Sequence, residues 1–344
     1  MTVTNSLRES VTNYCAKIGT DSMLVQGAGG NVSWKEGDTL WVKASGTWLA
    51  DANVKDIFVS VDLPELQKGI KAGNFAVVPK VKGGSKLRPS IETLLHALMP
   101  HRVVIHVHAI EALAYLVREN AEIQIEEELD SRFEYVIVDY QKPGEALAQA
   151  VSQALVKSPN VQVVFLKNHG VVIGGDDVAE VEAVLNLLTA TLSLQPLIFA
   201  NSQPVLDELC LKNGVKYKPV AIEKIQNLVL DAALLERVKT AWALYPDHVV
   251  FLGHQADCYE SVEQLENEFE IDSTGDLIFV KGLGVYTKAA LSPAKQAQLQ
   301  CYYDVIVRQT KQVALRVLNH QQVTQLLDWD AEQHRQQIAK QVRN

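Results

Sequence analysis

The sequence predicts an α/β chain: a layered α/β or α/β/α domain followed by a smaller α/β domain. Three observations predict it. Short β-branched runs alternate with helical segments over about two hundred residues from the N-terminus, the pattern of helices packed on a sheet. The chain has 344 residues, more than one ordinary domain, and a break at Asn201-Ser-Gln-Pro204 divides it into 1–203 and 204–344. Apolar residues make up 47% and charged residues 21%, enough for a core of normal size in each part.

Residues 6–19 place Leu7, Val11, Tyr14, Cys15 and Ile18 at helical spacing and end on a glycine. Gln26-Gly-Ala-Gly-Gly-Asn-Val-Ser-Trp34 follows. Its glycines either let backbone N–H groups approach a ligand or simply make a tight turn, because a hairpin over 32–43 comes directly after. A dinucleotide turn is excluded, since the glycines lead into a hairpin rather than a helix. A second glycine turn, Ala44-Ser-Gly-Thr47, closes the next strand, and two such turns side by side can cradle an anion. A strand over 57–61 and a helix over 63–71 lead to a loop carrying Lys80, Lys82, Lys86 and Arg88. Pro89 and Ser90 open a helix with Ser90 as its cap. Glu92 then falls in the first turn, where a carboxylate complements the helix dipole. His96, on the same face, reads as a packing residue.

Val103-Val-Ile-His-Val-His108 is a buried strand by its β-branched composition. Alternation points His106 and His108 the same way. The pair alone fits two satisfied buried histidines as well as half of a metal site. A third histidine, His169, stands directly after a second apolar strand over 161–166 and tips the balance. Three neutral imidazoles leave one coordination position open, the catalytic rather than the structural pattern for zinc. Between these strands a helix is expected over 109–118, and the acidic run Glu126, Glu127, Glu128 and Asp130 reads as a solvated face. A strand over 135–138, the turn through Tyr140 to Gly144 and a helix to about 156 follow. Beyond His169 a long helix is expected over 178–199.

The C-terminal part holds helical segments, a strand over 277–281, a long helix over 292–318 and an amphipathic helix over 322–341. Two of its stretches echo the first part. Ile278-Phe-Val-Lys-Gly-Leu-Gly-Val285 resembles Val164-Phe-Leu-Lys-Asn-His-Gly-Val171, and Pro246 to His254 resembles Pro100 to His108. In that register Leu252, His254 and Leu283 replace His106, His108 and His169, as in a shortened copy without its metal. A chance likeness of apolar strands is the competing explanation.

A net charge of −9 with no basic face argues against a nucleic-acid partner. No apolar run approaches a membrane span. The first ten residues are polar, without the apolar core of a secretory signal. The four cysteines (Cys15, Cys210, Cys258, Cys301) show no paired spacing, which suits buried thiols in a reducing compartment. A cytoplasmic location is the expectation.

Taken in order, Gly30-Asn-Val-Ser33, Ala44-Ser-Gly46, Pro89-Ser-Ile-Glu92, His106-Val-His108 and Asn168-His-Gly170 resemble the class II aldolase/adducin family, over about residues 5–200. The glycine turns, the Arg88-Pro-Ser-Ile-Glu92 stretch and the extra C-terminal part look closest to the aldolase portion of bifunctional rhamnulose-phosphate aldolase/dehydrogenase proteins. The resemblance implies a three-layer α/β/α sandwich around a mostly antiparallel sheet, assembled as a homotetramer with the site at a subunit boundary. It implies a divalent metal, zinc by preference, held by His106, His108 and His169. It places Glu92 as the acid/base carboxylate and Tyr140 as the proton donor to the departing aldehyde, usually in a neighbouring subunit's site. Asn31, Ser45, Gly46 and Ser90 match phosphate-binding positions. Ala28 and Ile91 depart from that pattern and each lose a phosphate hydrogen bond. Lys86 or Arg88 would then compensate, or the substrate is an unphosphorylated sugar or acid.

The activity so implied is retro-aldol cleavage of a ketose or ketose phosphate through a metal-stabilised enediolate. A sugar-phosphate 4-epimerase, a dehydratase or a decarboxylase would use the same metal site, and epimerases tend to carry aspartate where Glu92 stands. A non-catalytic adducin-like protein need not keep the histidines.

Overall fold

The computed structural model describes residues 2–130, 132–199, 207–270 and 274–327. The first part runs α1 (Thr2–Gly19), β1 (Asn31–Glu36), β2 (Thr39–Lys43), β3 (Phe58–Asp62), α2 (Leu63–Lys71), α3 (Thr93–Leu98), β4 (Val103–Val107) and α4 (Ile110–Leu116). It continues with α5 (Ala121–Leu129), β5 (Tyr135–Val138), α6 (Glu145–Lys157), β6 (Val163–Leu166), β7 (Gly170–Gly175) and α7 (Val178–Thr191). Seven strands form one sheet in the order β3-β2-β1-β4-β7-β6-β5. Only the β5–β6 pair is parallel, so the mostly antiparallel sheet agrees with the expectation.

β4 lies in the middle of this sheet. Val103, Ile105 and Val107 face a core shared with α1, α4, α5 and α7. Val104 faces the other way, against Leu95 of α3 and Leu147 and Val151 of α6. Helices on both faces make three layers, and alternation puts His106 on the Val104 side. Burial on both faces explains the unbroken β-branched run, each such side chain contributing about 1.5–3 kcal/mol.

The second part comprises β8 (Leu209–Cys210), β9 (Lys216–Pro219), α8 (Asn227–Leu230), α9 (Ala232–Thr240), α10 (Pro246–Leu252), β10 (Asp257–Tyr259) and α11 (Val262–Glu268). β11 (Leu277–Val280), β12 (Gly284–Thr287), α12 (Pro293–Ile306) and α13 (His320–Leu327) complete it. Its sheet runs β10-β11-β12-β9-β8, with only β10–β11 parallel. That is the order and sense of β5-β6-β7-β4-β1. The two hairpins also share a register, Val280 pairing with Gly284 as Leu166 pairs with Gly170.

The other half of the expected echo differs. Pro246 to Leu252 is the helix α10 and not a strand. Pro246 sits in its first turn, where a missing N–H costs nothing, and an apolar run with adjacent valines has no period that separates a strand from a buried helix. β9 takes the place of β4 instead. Tyr286 pairs with Pro219 as Val172 pairs with His106, and the Val220 N–H reaches Val285 O. Pro219, Ala221 and Leu283 therefore stand where the three histidines stand. Leu252 ends α10, and His254 beyond it is exposed.

α4 joins the two parts. Ala112, Tyr115 and Leu116 pack into the first core, while Ile110, Leu113 and Val117 pack against Leu228, Leu234 and Leu299. Arg308 of the second part pairs with Glu111 of α4 at 3.2 Å, with both side chains largely covered.

Several helix bounds differ from expectation. α7 stops at Thr191 rather than 199, consistent with Pro196 ahead, which cannot donate and bars helical geometry at the residue before it. α12 stops at Ile306 rather than 318. There the Gln309 side chain donates to Val305 O, the carbonyl its own N–H would take in a longer helix, and the same amide reaches Ala114 O of α4. The acidic run is exposed as expected, with Glu126, Glu127 and Glu128 in α5 and Asp130 just past its end. The expected boundary at 201–204 and the helix end beyond 327 lie outside the described residues. Cys15 and Cys301 are buried, whereas Cys210 is exposed and Cys258 half-buried; all four are free thiols. No helix among the described residues is long and apolar enough to cross a membrane.

His248 in α10 is fully buried, edge-on to Trp242, Tyr245 and Tyr302 with ring centroids 4.4, 5.5 and 5.0 Å away. Burial lowers its pKa from 6.5 to about 3. The unfolded chain therefore takes up this proton first. Stability is full above pH 6.5 and drains as pH falls toward 3, by about 1.4 kcal/mol per unit. His248→Phe should flatten the fall of Tm with acid over that window, and an unchanged slope would exclude His248 as a source of acid lability.

Candidate metal centre and active site

The three histidines reach one point from two neighbouring strands. His106 lies within β4, His108 one residue past its end, and His169 in the turn between β6 and β7. Their ligand nitrogens lie within 4.8 Å of one another, and all three side chains are buried. The Nε2 atoms of His106 and His108 face each other at 3.2 Å. His106 Nδ1 lies 3.1 Å from Val171 O, so it carries the proton and leaves Nε2 bare toward the centre.

The backbone is shaped around this cluster. A Cβ on Gly170 would lie 2.5 Å from Val107 O and 3.0 Å from His108 Cδ2, so only glycine lets the β7 backbone close on the imidazoles. Asn168 adopts φ 54°, a left-handed position that asparagine tolerates. Its Nδ2 donates to Leu244 O and Arg316 O, each at 2.8 Å, fastening the His169 turn to the second part of the chain.

Glu92 stands just before α3 rather than inside its first turn, and its side chain makes no cap. Ser90 Oγ accepts the Glu92 N–H at 3.2 Å, so the serine holds the turn that aims the carboxylate. Glu92 Oε2 accepts from Asn31 Nδ2 at 2.8 Å and lies 3.5 Å from His106 Nε2. Oε1 lies 3.4 Å from His169 Nε2 and has no hydrogen-bond partner among the described residues. Burial raises the Glu92 pKa, but His106, His169, the Asn31 bond and His108 together hold it well below the ordinary carboxylate range. The expected complement to the helix dipole is thus not what this carboxylate does.

Asn31 is held in turn. Its Oδ1 accepts from His96 Nε2, and the His96 Nδ1 then accepts from Ser33 Oγ at 2.8 Å. His96 is accordingly a neutral, fully buried linker and not a ligand, with burial lowering its pKa to about 3. Asn31, which the family resemblance gives to phosphate, here spends its amide on Glu92 and His96.

Asn31, Ser45, Gly46, Ser90, Glu92, His108 and His169 line one cleft. Ser45 and Gly46 come from the second glycine turn and Ala28 to Gly30 from the first. Lys43, itself buried, ties the two turns together by donating from Nζ to Ala28 O at 3.1 Å and Thr47 O at 2.7 Å. Arg88 stays outside, its side chain exposed and its carbonyl accepting the Ser45 N–H. Tyr140 is not brought to the cleft either. It is buried in a cluster with Ala243, Val249 and Leu318 of the second part.

Sequence reading misses Lys43, Pro143, Pro246 and Asp247, all of which line the cleft. A lysine at a strand end reads as solvated, and nothing in the sequence links Asp247 to residues so far before it.

The donor set fits a metal ion. Three buried imidazoles converge on one point beside a carboxylate oxygen that accepts no hydrogen bond among the described residues.

The sequence pattern of the family described as Class II Aldolase and Adducin N-terminal domain matches residues 9–195. The chain is 30% identical over 175 residues to a Bacillus subtilis protein named uncharacterized oxidoreductase YuxG, covering 46% of this chain and only 25% of that protein. It is 30% identical over 181 residues to the L-fuculose phosphate aldolase of Methanocaldococcus jannaschii, covering 50% of this chain and 86% of that one. The solved N-terminal class II aldolase domain of a Thermoplasma acidophilum protein aligns at 26% identity and a TM-score of 0.45, covering 53% of this chain and 90% of that domain. With a family match over more than half its length, this chain belongs to the class II aldolase and adducin family.

Proposed function

We propose that the protein is a divalent-metal-dependent aldolase that cleaves a ketose or ketose phosphate by retro-aldol chemistry. The observation that carries this reading is the buried Glu92 carboxylate, 3.4 and 3.5 Å from two of three converging imidazoles at the wall of a cleft. The name of the Methanocaldococcus jannaschii relative agrees with it. His106, His108 and His169 would hold the ion, and three neutral nitrogen ligands with a position left for substrate favour zinc. A bound divalent cation supplies Lewis acidity, stabilising the negative charge that builds beside a carbonyl when a carbon–carbon bond breaks.

The chain's own residues do the rest. Glu92 takes up and returns the proton at the reacting centre, aimed by Asn31 and the Ser90 turn. Ser45, Gly46 and Ser90 offer donors to the far end of the substrate, with the Lys43 ammonium behind the turns favouring negative charge there. Residues 1–203 form the catalytic unit in this reading, and 204–344 a degenerate copy that keeps the strand order and lacks the histidines.

Aldehyde release from a panel of ketoses and ketose 1-phosphates, with and without a chelator, tests the proposal. Chelator-sensitive cleavage of at least one member is expected. A preference for unphosphorylated members would reflect the hydroxyls missing at Ala28 and Ile91. No cleavage by a chain that still holds stoichiometric metal would overturn the aldolase reading in favour of an epimerase, dehydratase or decarboxylase.

A further inference from the structure

We propose that Asp247, supplied by the second part of the chain, is a positioning residue for the metal ligand His108. The inference rests on the metal-centre reading above. Asp247 lies in the first turn of α10 and reaches the cleft, with Oδ2 3.7 Å from His108 Nδ1 and both side chains buried. His108 turns Nε2 toward His106, so Nε2 is its metal-facing nitrogen and Nδ1 its outer one. A neutral imidazole that offers Nε2 must carry its proton on Nδ1, and a carboxylate facing Nδ1 favours that tautomer and ring orientation. His106 gets the same service from the Val171 carbonyl. For His108 the negative charge comes from another part of the molecule.

Two further observations support the pairing. The first is Gly29, whose φ is not left-handed yet where a Cβ would lie 3.0 Å from Asp247 Oδ2 and 3.1 Å from His108 Nδ1. A Cβ there would crowd both groups and the Gln26 carbonyl, 2.9 Å away. The second is that α10 is tied to the metal turn at its entry, since Leu244 O accepts from Asn168 beside His169. The carboxylate is therefore registered against the histidine cluster by the contact that also holds His169. His108 is fixed from its backbone too, Gln26 Nε2 donating to its carbonyl at 3.3 Å. The second part, with no metal ligands of its own at Pro219, Ala221 and Leu283, thus acts as part of the wall that orders the first part's centre.

Zinc affinity of the full chain, measured by competition with a chromophoric chelator, tests this without relying on turnover. Asp247→Ala should weaken zinc binding by about 10–100-fold, the usual cost of losing such an outer partner, and Asp247→Asn should weaken it less. The ligand-field bands of the cobalt(II)-loaded chain should shift in both variants, which a packing role alone would not cause. The isosteric Asp247→Asn keeps the test open if the alanine variant folds poorly, as judged by the Tm of the metal-free chain. Variants that bind zinc within about twofold of the parent, with unshifted cobalt bands, would overturn the role of Asp247 while leaving the metal centre standing. A parent chain that binds neither metal would overturn the centre itself and this proposal with it.

Discussion

His169→Ala is expected to cost the chain its metal and, with it, all measurable turnover. Of the three proposed ligands only His169 does not come from the β4 segment, so its loss leaves two imidazoles on a single strand end. Dividing the binding energy of a four-ligand zinc site among its ligands gives roughly 3 kcal/mol each, or about a hundredfold in affinity. The remaining pair would then hold zinc too weakly to survive gel filtration. The fold should survive, because the turn is held by Asn168 through Leu244 O and Arg316 O and not by the imidazole. Metal content by elemental analysis, read beside an unchanged circular dichroism spectrum, checks this. Stoichiometric zinc in the variant would remove His169 from the ligand set.

How much of this centre the sequence discloses depends on whether a residue's role is local. His106 and His108 are legible because strand alternation alone puts them on one side, and His169 because it follows an apolar strand in a glycine turn. The layered α/β class is legible from the alternation of apolar runs and helical segments, whereas the three-layer form comes from the family resemblance. The direction of the Glu92 carboxylate is not legible. Its position before α3 suits a dipole role equally well, and what decides is Asn31 on another strand, itself set by His96 and Ser33. Pro246 to Leu252 misleads because a short apolar run with two adjacent valines has no diagnostic period, and tertiary packing against α12 and α13 makes it a helix. Asp247 and Lys43 act across contacts that leave no trace in local spacing. The second sheet's likeness to the first shows in the β11–β12 hairpin, where the two sequences are alike, and is hidden in β9, whose lysines and proline bear no likeness to the histidine strand.

Glu92→Gln should leave the metal in place and lower kcat by about 10²–10⁴-fold, the range for removing a positioned acid/base group. The two effects separate for a structural reason. Glutamine is nearly isosteric with glutamate, and its amide oxygen can still accept from Asn31 Nδ2, so the turn held by Ser90 and the histidine cluster keep their geometry. What disappears is the ability to bind and release a proton beside His106 and His169. Removing the carboxylate also removes a negative charge from among three imidazoles, which weakens cation binding somewhat but leaves all three nitrogen ligands. If Glu92 acts on protons, the defect should lie in kcat with KM little changed, because Ser45, Gly46 and Ser90 at the other end of the cleft are untouched. A defect confined to KM would make Glu92 a binding group. Full activity in the metal-loaded Glu92→Gln variant would remove this carboxylate from the chemistry altogether and pass the proton transfer to another group of the cleft, where Asp247 is the second carboxylate.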